Sequence, residues 1–233
     1  MDNWIEFYDS AHAIYVNARH KDVHCRDIAR QIAAFVPHPH ARVLDYGCGE
    51  ALHAGLVAAV ASELVLCDAA PSVRASLAVR FAANPKIRVT APAEIAQRAE
   101  RSLDLIVVNS LVQYLTPAEL EAHLTLWRRL LAPQGILIVA DVIPPEVGPV
   151  SDVIALLRYA SANGFLLAAI IGLARTAMSS YRKLRATLSI ARYGESEFLA
   201  KLAAAGFTGE RLAQNMEHNP ARMTFRAREG GSR

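Results

Sequence analysis

Apolar positions along the chain follow two different rhythms. In the opening segment they recur at helical spacing, through Ile5, Tyr8, Ala11, Ile14 and Tyr15 and again from Val23 through Ile28, Ile32 and Phe35. Amphipathic helices are therefore expected there, ended by Pro37 and Pro39. From residue 42 onward the rhythm changes. Short apolar runs at 42–46, 64–67, 87–90, 103–108 and 136–140 read as buried strands, and the stretches at 50–61, 72–82, 94–98 and 117–131 read as helices between them. Strands that alternate with helices require a parallel sheet covered on both faces, because each crossover returns the chain over one face.

Past Asp141 the alternation breaks at Pro144-Pro145, and two long apolar or amphipathic helices are expected over 150–188. A further helix at 196–205 is closed by Gly206. Two alternating runs, 207–216 and 222–228, flank Glu217-His218-Asn219-Pro220 and read as antiparallel strands joined by a turn. The expected architecture is α/β: a seven-stranded, mostly parallel sheet with an antiparallel last strand and helices on both faces. Residues 1–40 would form an N-terminal helical lid, 41–142 the ligand-binding core, 150–190 a helical insertion after the fifth strand, and 195–228 the last helix and final two strands. No repeat or low-complexity linker divides the chain, so a single domain is expected, with only 229–233 read as a disordered tail.

Composition narrows the class. The 233 residues are 53% hydrophobic and 20% charged, ordinary for a globular domain with one core. Twenty-five basic against 22 acidic side chains leave a formal charge of +3, too small and too dispersed to argue for nucleic acid. Arg182, Lys183, Arg185 and Arg192 are locally concentrated, as a solvated helix face or an anionic-surface contact would be. Cys25, Cys48 and Cys67 are odd in number and show no metal-ligand spacing, which suits free thiols in a reducing, cytoplasmic compartment. The opening Met1-Asp2-Asn3-Trp4 lacks the basic flank and apolar run of an export signal. The most apolar stretch, 164–174, is about half of what crosses a bilayer.

The segment Val43-Leu44-Asp45-Tyr46-Gly47-Cys48-Gly49-Glu50 concentrates the chemistry. Gly47 and Gly49 permit a tight turn at the carboxyl end of the first strand, where open α/β sheets bind their ligands. A dinucleotide fingerprint needs a third glycine at position 52, where this chain has Leu52. Asp45 points the same way, since a carboxylate there repels a pyrophosphate and attracts an ammonium group; the alternative is a turn-capping aspartate. The second strand ends in Leu66-Cys67-Asp68, and such an acid accepts the two hydroxyls of a ribose or caps the helix near Pro71-Ser72.

An acid before a GxG turn and an acid at the end of the second strand resemble the class I S-adenosylmethionine-dependent methyltransferases, over residues 42–142. The resemblance implies a Rossmann-like sheet and S-adenosyl-L-methionine as cofactor. It would set the cofactor against Asp45, Gly47, Cys48 and Gly49 of the turn, Asp68 and Ala69 after the second strand, and Ala91, Pro92 and Ala93 along the adenine. Many relatives have an acid where Ala91 stands, so backbone groups or Glu94 would have to substitute. Glu50-Ala51 also replace the small residue and glycine of many members. Asn109 and Ser110, after the fourth strand, would face the methionine portion; Asn109 either caps the turn or orients ligand. Tyr15 and His20, with Tyr8, His24 and Arg26, form either a lid over the cofactor or an ordinary amphipathic face.

If the acceptor is a hydroxyl or a protonated amine, a base must take its proton. An antiparallel last strand would begin at the edge where the others end, bringing Asn215, His218, Asn219 and Arg222 toward the pocket. His218 is the first candidate base, with Tyr114 and His53 behind it; a turn histidine that is merely solvated is the alternative. No ligand spacing suggests a metal. Phe165, Leu166, Leu167, Ile170, Ile171 and Leu173 exceed what one buried helix face needs, so the insertion should line a greasy pocket, pair with a second subunit or touch a membrane; an ordinary core helix is the alternative. The expected activity is methyl transfer to a small, lipophilic acceptor. The alternatives are an NAD(P)-dependent oxidoreductase, which Leu52 and Asp45 oppose, and a non-catalytic S-adenosylmethionine-binding protein. A nucleic-acid or protein methyltransferase would want a basic stripe and a motif such as Asn-Pro-Pro-Tyr, where this chain has Asn109-Ser110-Leu111-Val112.

Overall fold

The computed structural model describes residues 15–178 and 190–231. The helix expected over Ile5, Tyr8, Ala11 and Ile14, the basic residues Arg182, Lys183 and Arg185, and the end of the insertion lie outside the described residues. Helix α1 (Ala18–Phe35) leads into β1 (Arg42–Tyr46), α2 (Ala54–Val60), β2 (Glu63–Cys67), α3 (Pro71–Phe81), β3 (Ile87–Thr90), α4 (Pro92–Ala96), β4 (Leu103–Asn109), α5 (Pro117–Leu130) and β5 (Leu131–Val142). Helices α6 (Pro149–Asn163), α7 (Leu166–Met178) and α8 (Glu195–Ala204) follow, and β6 (Phe207–Arg211) and β7 (Met223–Glu229) complete the sheet.

The seven strands lie in the order β3-β2-β1-β4-β5-β7-β6. Strands β1 to β5 pair in parallel, while β7 runs antiparallel to both β5 and β6. This is the mostly parallel sheet with an antiparallel last strand that the alternation predicts. Because side chains alternate across a strand, each apolar run feeds two cores. Val43, Leu64, Leu66, Leu105 and Val107 pack on one face with Ile32 of α1, Val57 of α2 and Leu77 of α3. Leu44, Val65, Ile106, Val108 and Val139 pack on the other with Leu120, Leu124 and Trp127 of α5 and Phe198 of α8. Helix α5 shows how local signals fix an element. Thr116 and Glu119 form a capping box, Pro117 opens the first turn, and Leu120, Leu124, Trp127 and Leu130 make the buried stripe.

Boundaries differ from the expected ones where backbone geometry overrides pattern. The helix expected over 50–61 starts only at Ala54, since Gly47, Gly49 and Ala51 all take positive φ in the turn before it. Strand β5 begins five residues earlier than position 136, its pairing with β4 shifting register between Leu103 and Leu105 as it passes Pro133 to Gly135. Strand β6 stops at Arg211, not 216, and the residues from there to β7 form an internally bonded loop. Glu229 is not part of a loose tail: it ends β7 and pairs with Arg101 at 3.6 Å and Arg128 at 3.7 Å. Among the described residues no helix is long and apolar enough to cross a membrane.

Candidate active site

At the carboxyl edge of the sheet, β1 hands over to the glycine turn. Gly47 has φ +79° and Gly49 φ +55°, the left-handed region that costs other residues energy. A Cβ on Gly47 would sit 3.3 Å from the Leu111 side chain, so sterics select glycine there twice. Amides of the turn are stapled to β2: Gly47 and Cys48 donate to the Cys67 carbonyl at 2.8 and 3.1 Å, and Gly49 donates to Asp68 Oδ2 at 2.9 Å. Asp68 Oδ1 accepts the Ala70 amide at 2.8 Å. Both Asp68 oxygens thus hold local backbone, and each keeps a further lone pair for a ligand.

Asp45, on the neighbouring strand, is only 8% exposed. Burial, and secondarily the charge of Asp68, push its carboxyl up to about 7. Burial also raises Asp68, against the pull of the Ala70 and Gly49 amides. Two carboxylates crowded into one dry corner are unstable as a pair of anions, so the corner favours a cationic partner. No atom lies within 4 Å of where a Gly49 Cβ would stand, which leaves room for a ligand over the turn.

Past β3, Ala91 caps α4 and Pro92 opens it, with Ala91's carbonyl accepting the amides of Glu94 and Ile95 at 3.1 and 3.2 Å. Glu94 accepts a hydrogen bond from the Thr90 hydroxyl, which turns it back onto β3.

A second polar centre lies beyond β4 and β5. Asn109 Nδ2 donates to Glu217 Oε1 at 2.8 Å, and the Ser110 hydroxyl donates to Asp141 Oδ2 at 2.8 Å. Ser110 and Asp141 both take positive φ, +52° and +64°, to aim these groups inward. Arg222 bridges Asp141 at 2.6 Å and Asp152 of α6 at 2.8 Å. Asn215 and Asn219 tie the loop between β6 and β7 into the same network. Burial and the Glu217 charge raise the Asp141 carboxyl despite Arg222. Burial also opposes charge on Glu217, yet His24, His218 and the Asn109 amide more than offset it and hold that carboxyl low.

Aromatic rings close over this centre. His20, 6% exposed, stacks on Phe165 at 4.8 Å between ring centres and meets Tyr15 edge-on at 5.3 Å. Burial, then the neighbouring His24 and His218, bring His20 down to about 4. His218 stacks on Tyr159 of α6 at 5.2 Å, and the Tyr159 hydroxyl donates to Asp27 of α1 at 2.7 Å. Helices α1, α6 and α7 therefore meet above the carboxyl edge of the sheet.

The fold thus gathers Asp45, Gly47, Cys48, Gly49, Asp68 and Ala69 at one corner, and Asn109, Ser110, His20 and His218 at the next. It leaves His53 apart: that residue stands at the start of α2 with its ring turned to Asp22 of α1, at 2.8 Å. Tyr114 sits half-buried in a 3-10 turn, Val112–Tyr114. Glu217, Asp141 and Tyr159 are the site-edge residues that sequence reasoning passed over. Glu217 stands in a turn-like tetrapeptide, and nothing in its local pattern distinguishes a solvated turn from one folded inward.

The profile of a family described as a methyltransferase domain matches residues 43–135. No curated protein matches the sequence. Among solved structures the chain is similar to DhpI in its complex with SAH, at 13% identity and a TM-score of 0.63, over 99% of this chain and 97% of that one. It is similar also to magnesium protoporphyrin IX methyltransferase (ChlM) from Synechocystis PCC 6803 with bound SAH, at 15% identity and a TM-score of 0.60, over 98% and 94%. The YcgJ protein from Bacillus subtilis aligns at 16% identity with a TM-score of 0.57, over 81% and 71%. At such identities the likeness establishes the fold, and the matched domain lies on the segment that carries the glycine turn and both carboxylates. Residues 43–135 thus match a methyltransferase domain, and the chain as a whole has the fold of solved methyltransferase structures.

Proposed function

We propose that this chain transfers the methyl group of S-adenosylmethionine to a small, lipophilic acceptor held under helices α1, α6 and α7. The observation that carries the reading is the pair of buried carboxylates, Asp45 and Asp68, at adjacent strand ends around an open glycine turn. When bound, S-adenosylmethionine supplies a methyl already activated on a sulfonium. Asp45 takes the ammonium of the methionine portion, which relieves its unpaired burial. Asp68 accepts from the ribose hydroxyls with the lone pairs that Gly49 and Ala70 leave free. The backbone of Ala91, Pro92 and Ala93 lies along the adenine. Cys48, Ala69, Asn109 and Ser110 complete the cofactor wall, with Tyr15 and His20 on the lid side.

The acceptor lies on the side of His218. Here the rings of His20, Tyr159 and Phe165 exclude water and hold an apolar body in line with the sulfur, which is most of what this reaction asks of a protein. His218 faces Glu217 and is the acceptor-side residue of our reading; His53, committed to Asp22, and Tyr114 stand behind it. The apolar side chains Val150, Leu167, Ile170 and Ile171, exposed on α6 and α7, support contact of this cover with a lipid surface or a second copy of the chain. Three free thiols support a cytoplasmic location.

Calorimetry with S-adenosylmethionine, its demethylated product and NAD tests the cofactor, with binding of the sulfur nucleosides alone expected. Incubation with methyl-labelled cofactor and lipid or metabolite extracts then tests the acceptor, and label in an organic-soluble product is expected. Binding of NAD in place of the nucleosides would reverse the reading.

A further inference from the structure

Three ligand-bearing side chains from opposite ends of the chain meet above the sheet edge. His24 of α1 and Glu217 and His218 of the loop before β7 each present one ligand atom, all within 4.8 Å of one another. Glu217 Oε2 is the shared corner, with His24 Nδ1 at 3.4 Å and His218 Nδ1 at 3.6 Å. Both separations are long for hydrogen bonds, and among the described residues His218 Nδ1 is buried without a hydrogen-bond partner. They match instead the edges of a tetrahedron around an ion, since ligands about 2.1 Å from such a centre stand roughly 3.4 Å apart.

The surroundings are those of a ligating set. Glu217 Oε1 is held by the Asn109 amide at 2.8 Å, an outer hydrogen bond of the kind that orients a metal-bound carboxylate. Tyr159 fixes the plane of the His218 ring by stacking on it. Glu217 is a buried anion whose side chain is 7% exposed, and the guanidinium nearby, Arg222, is committed to Asp141 and Asp152. As ligands both imidazoles are neutral, and a divalent ion would then supply the positive charge beside this carboxylate. The edges of His24 and His218 keep 18% and 23% exposure, so an ion and one further ligand can reach the site from solvent.

We propose that His24, Glu217 and His218 bind one divalent ion of the zinc class, leaving a fourth position open for an oxygen donor of the acceptor. Two imidazoles and one carboxylate suit zinc and its neighbours and not magnesium, which prefers an all-oxygen shell. The metal site stands on its own geometry; only the acceptor clause rests on the methyl-transfer reading above.

Chelator-stripped protein without cofactor is titrated with Zn²⁺ against a chromophoric chelator, and with Co²⁺ while its visible spectrum is recorded. One ion per chain is expected, with the intense Co²⁺ bands of a tetrahedral site and no competition by Mg²⁺. His24→Ala and His218→Ala, at half-buried positions whose folding is checked by melting curves, should each weaken Zn²⁺ by more than 100-fold, beyond the roughly 10 to 100-fold that loss of an outer partner costs. Asn109→Ala should fall within that outer-partner range, and the exposed control His40→Ala should bind as the parent does. No stoichiometric Zn²⁺, or equal affinity in parent and both histidine variants, would overturn the site whatever the outcome for methyl transfer. With the site present, methyl transfer should drop in the stripped enzyme while S-adenosylmethionine still binds; undiminished turnover would overturn the acceptor clause alone.

Discussion

Replacing Asp45 by Asn should make the cofactor-free protein more stable at alkaline pH while weakening its hold on S-adenosylmethionine. Burial and the nearby Asp68 raise the Asp45 carboxyl from 3.8 to about 7. A folded-state value above the unfolded one means that the folded chain keeps this proton longer. The associated stability is therefore complete below about pH 4 and is lost as pH climbs to 7. At about 1.36 kcal/mol per pKa unit, the ionised group costs the folded state on the order of 4 kcal/mol above pH 7. An asparagine has nothing to ionise. The gap in stability between Asp45→Asn and the parent should accordingly widen by up to about 4 kcal/mol from pH 4 to pH 8, on the order of 10 °C in melting temperature for a chain of this size. Melting curves of both proteins across that range, without cofactor, read the gap directly. Since a charge-assisted contact contributes about 1.5 to 3 kcal/mol, calorimetry at pH 8 should show S-adenosylmethionine bound about 10 to 100-fold more weakly by the variant. A gap that does not change with pH would refute the buried-anion argument, and undiminished affinity would refute the ammonium role.

Other substitutions probe the frame around this corner. Asp68→Ala removes an acceptor from the Gly49 and Ala70 amides as well as from the ribose, and should weaken binding of the demethylated nucleoside by about 1 to 3 kcal/mol in calorimetry; equal affinity would detach Asp68 from the sugar. Gly47→Ala forces a side chain into φ +79° and onto Leu111, and should cost about 1 to 2 kcal/mol in urea unfolding, part of which a smaller residue at 111 cannot restore. Trp127→Ala empties a fully buried position under Tyr46 and should cost about 3 to 5 kcal/mol with an unchanged denaturant slope.

Strands and helices of the core were legible because each one buries a face, and burial imprints a period on the residues that form it. The runs 42–46 and 117–131 name their elements locally. The positions of Asp45 and Asp68 were legible for the same reason, since Asp45 is the last residue but one of its run and Asp68 directly follows its own. Where a glycine turn replaced the first turn of α2, or a bulge lengthened β5, pattern misjudged the boundary because backbone dihedrals leave no hydrophobic period.

By itself, then, the sequence determined the layered sheet, its glycine turn and the two acidic strand tips, all of which depend on neighbours a few residues away. Only the tertiary structure decided that Glu217 turns inward, that Asp141 meets Arg222, and that His24 and His218 share one carboxylate oxygen. The physical reason is that a polar side chain in a loop carries the same local signature in water or in a dry pocket. Its fate depends on partners brought to it by the antiparallel return of β7 and by α1 folding back over the sheet edge, and those contacts join distant parts of the chain.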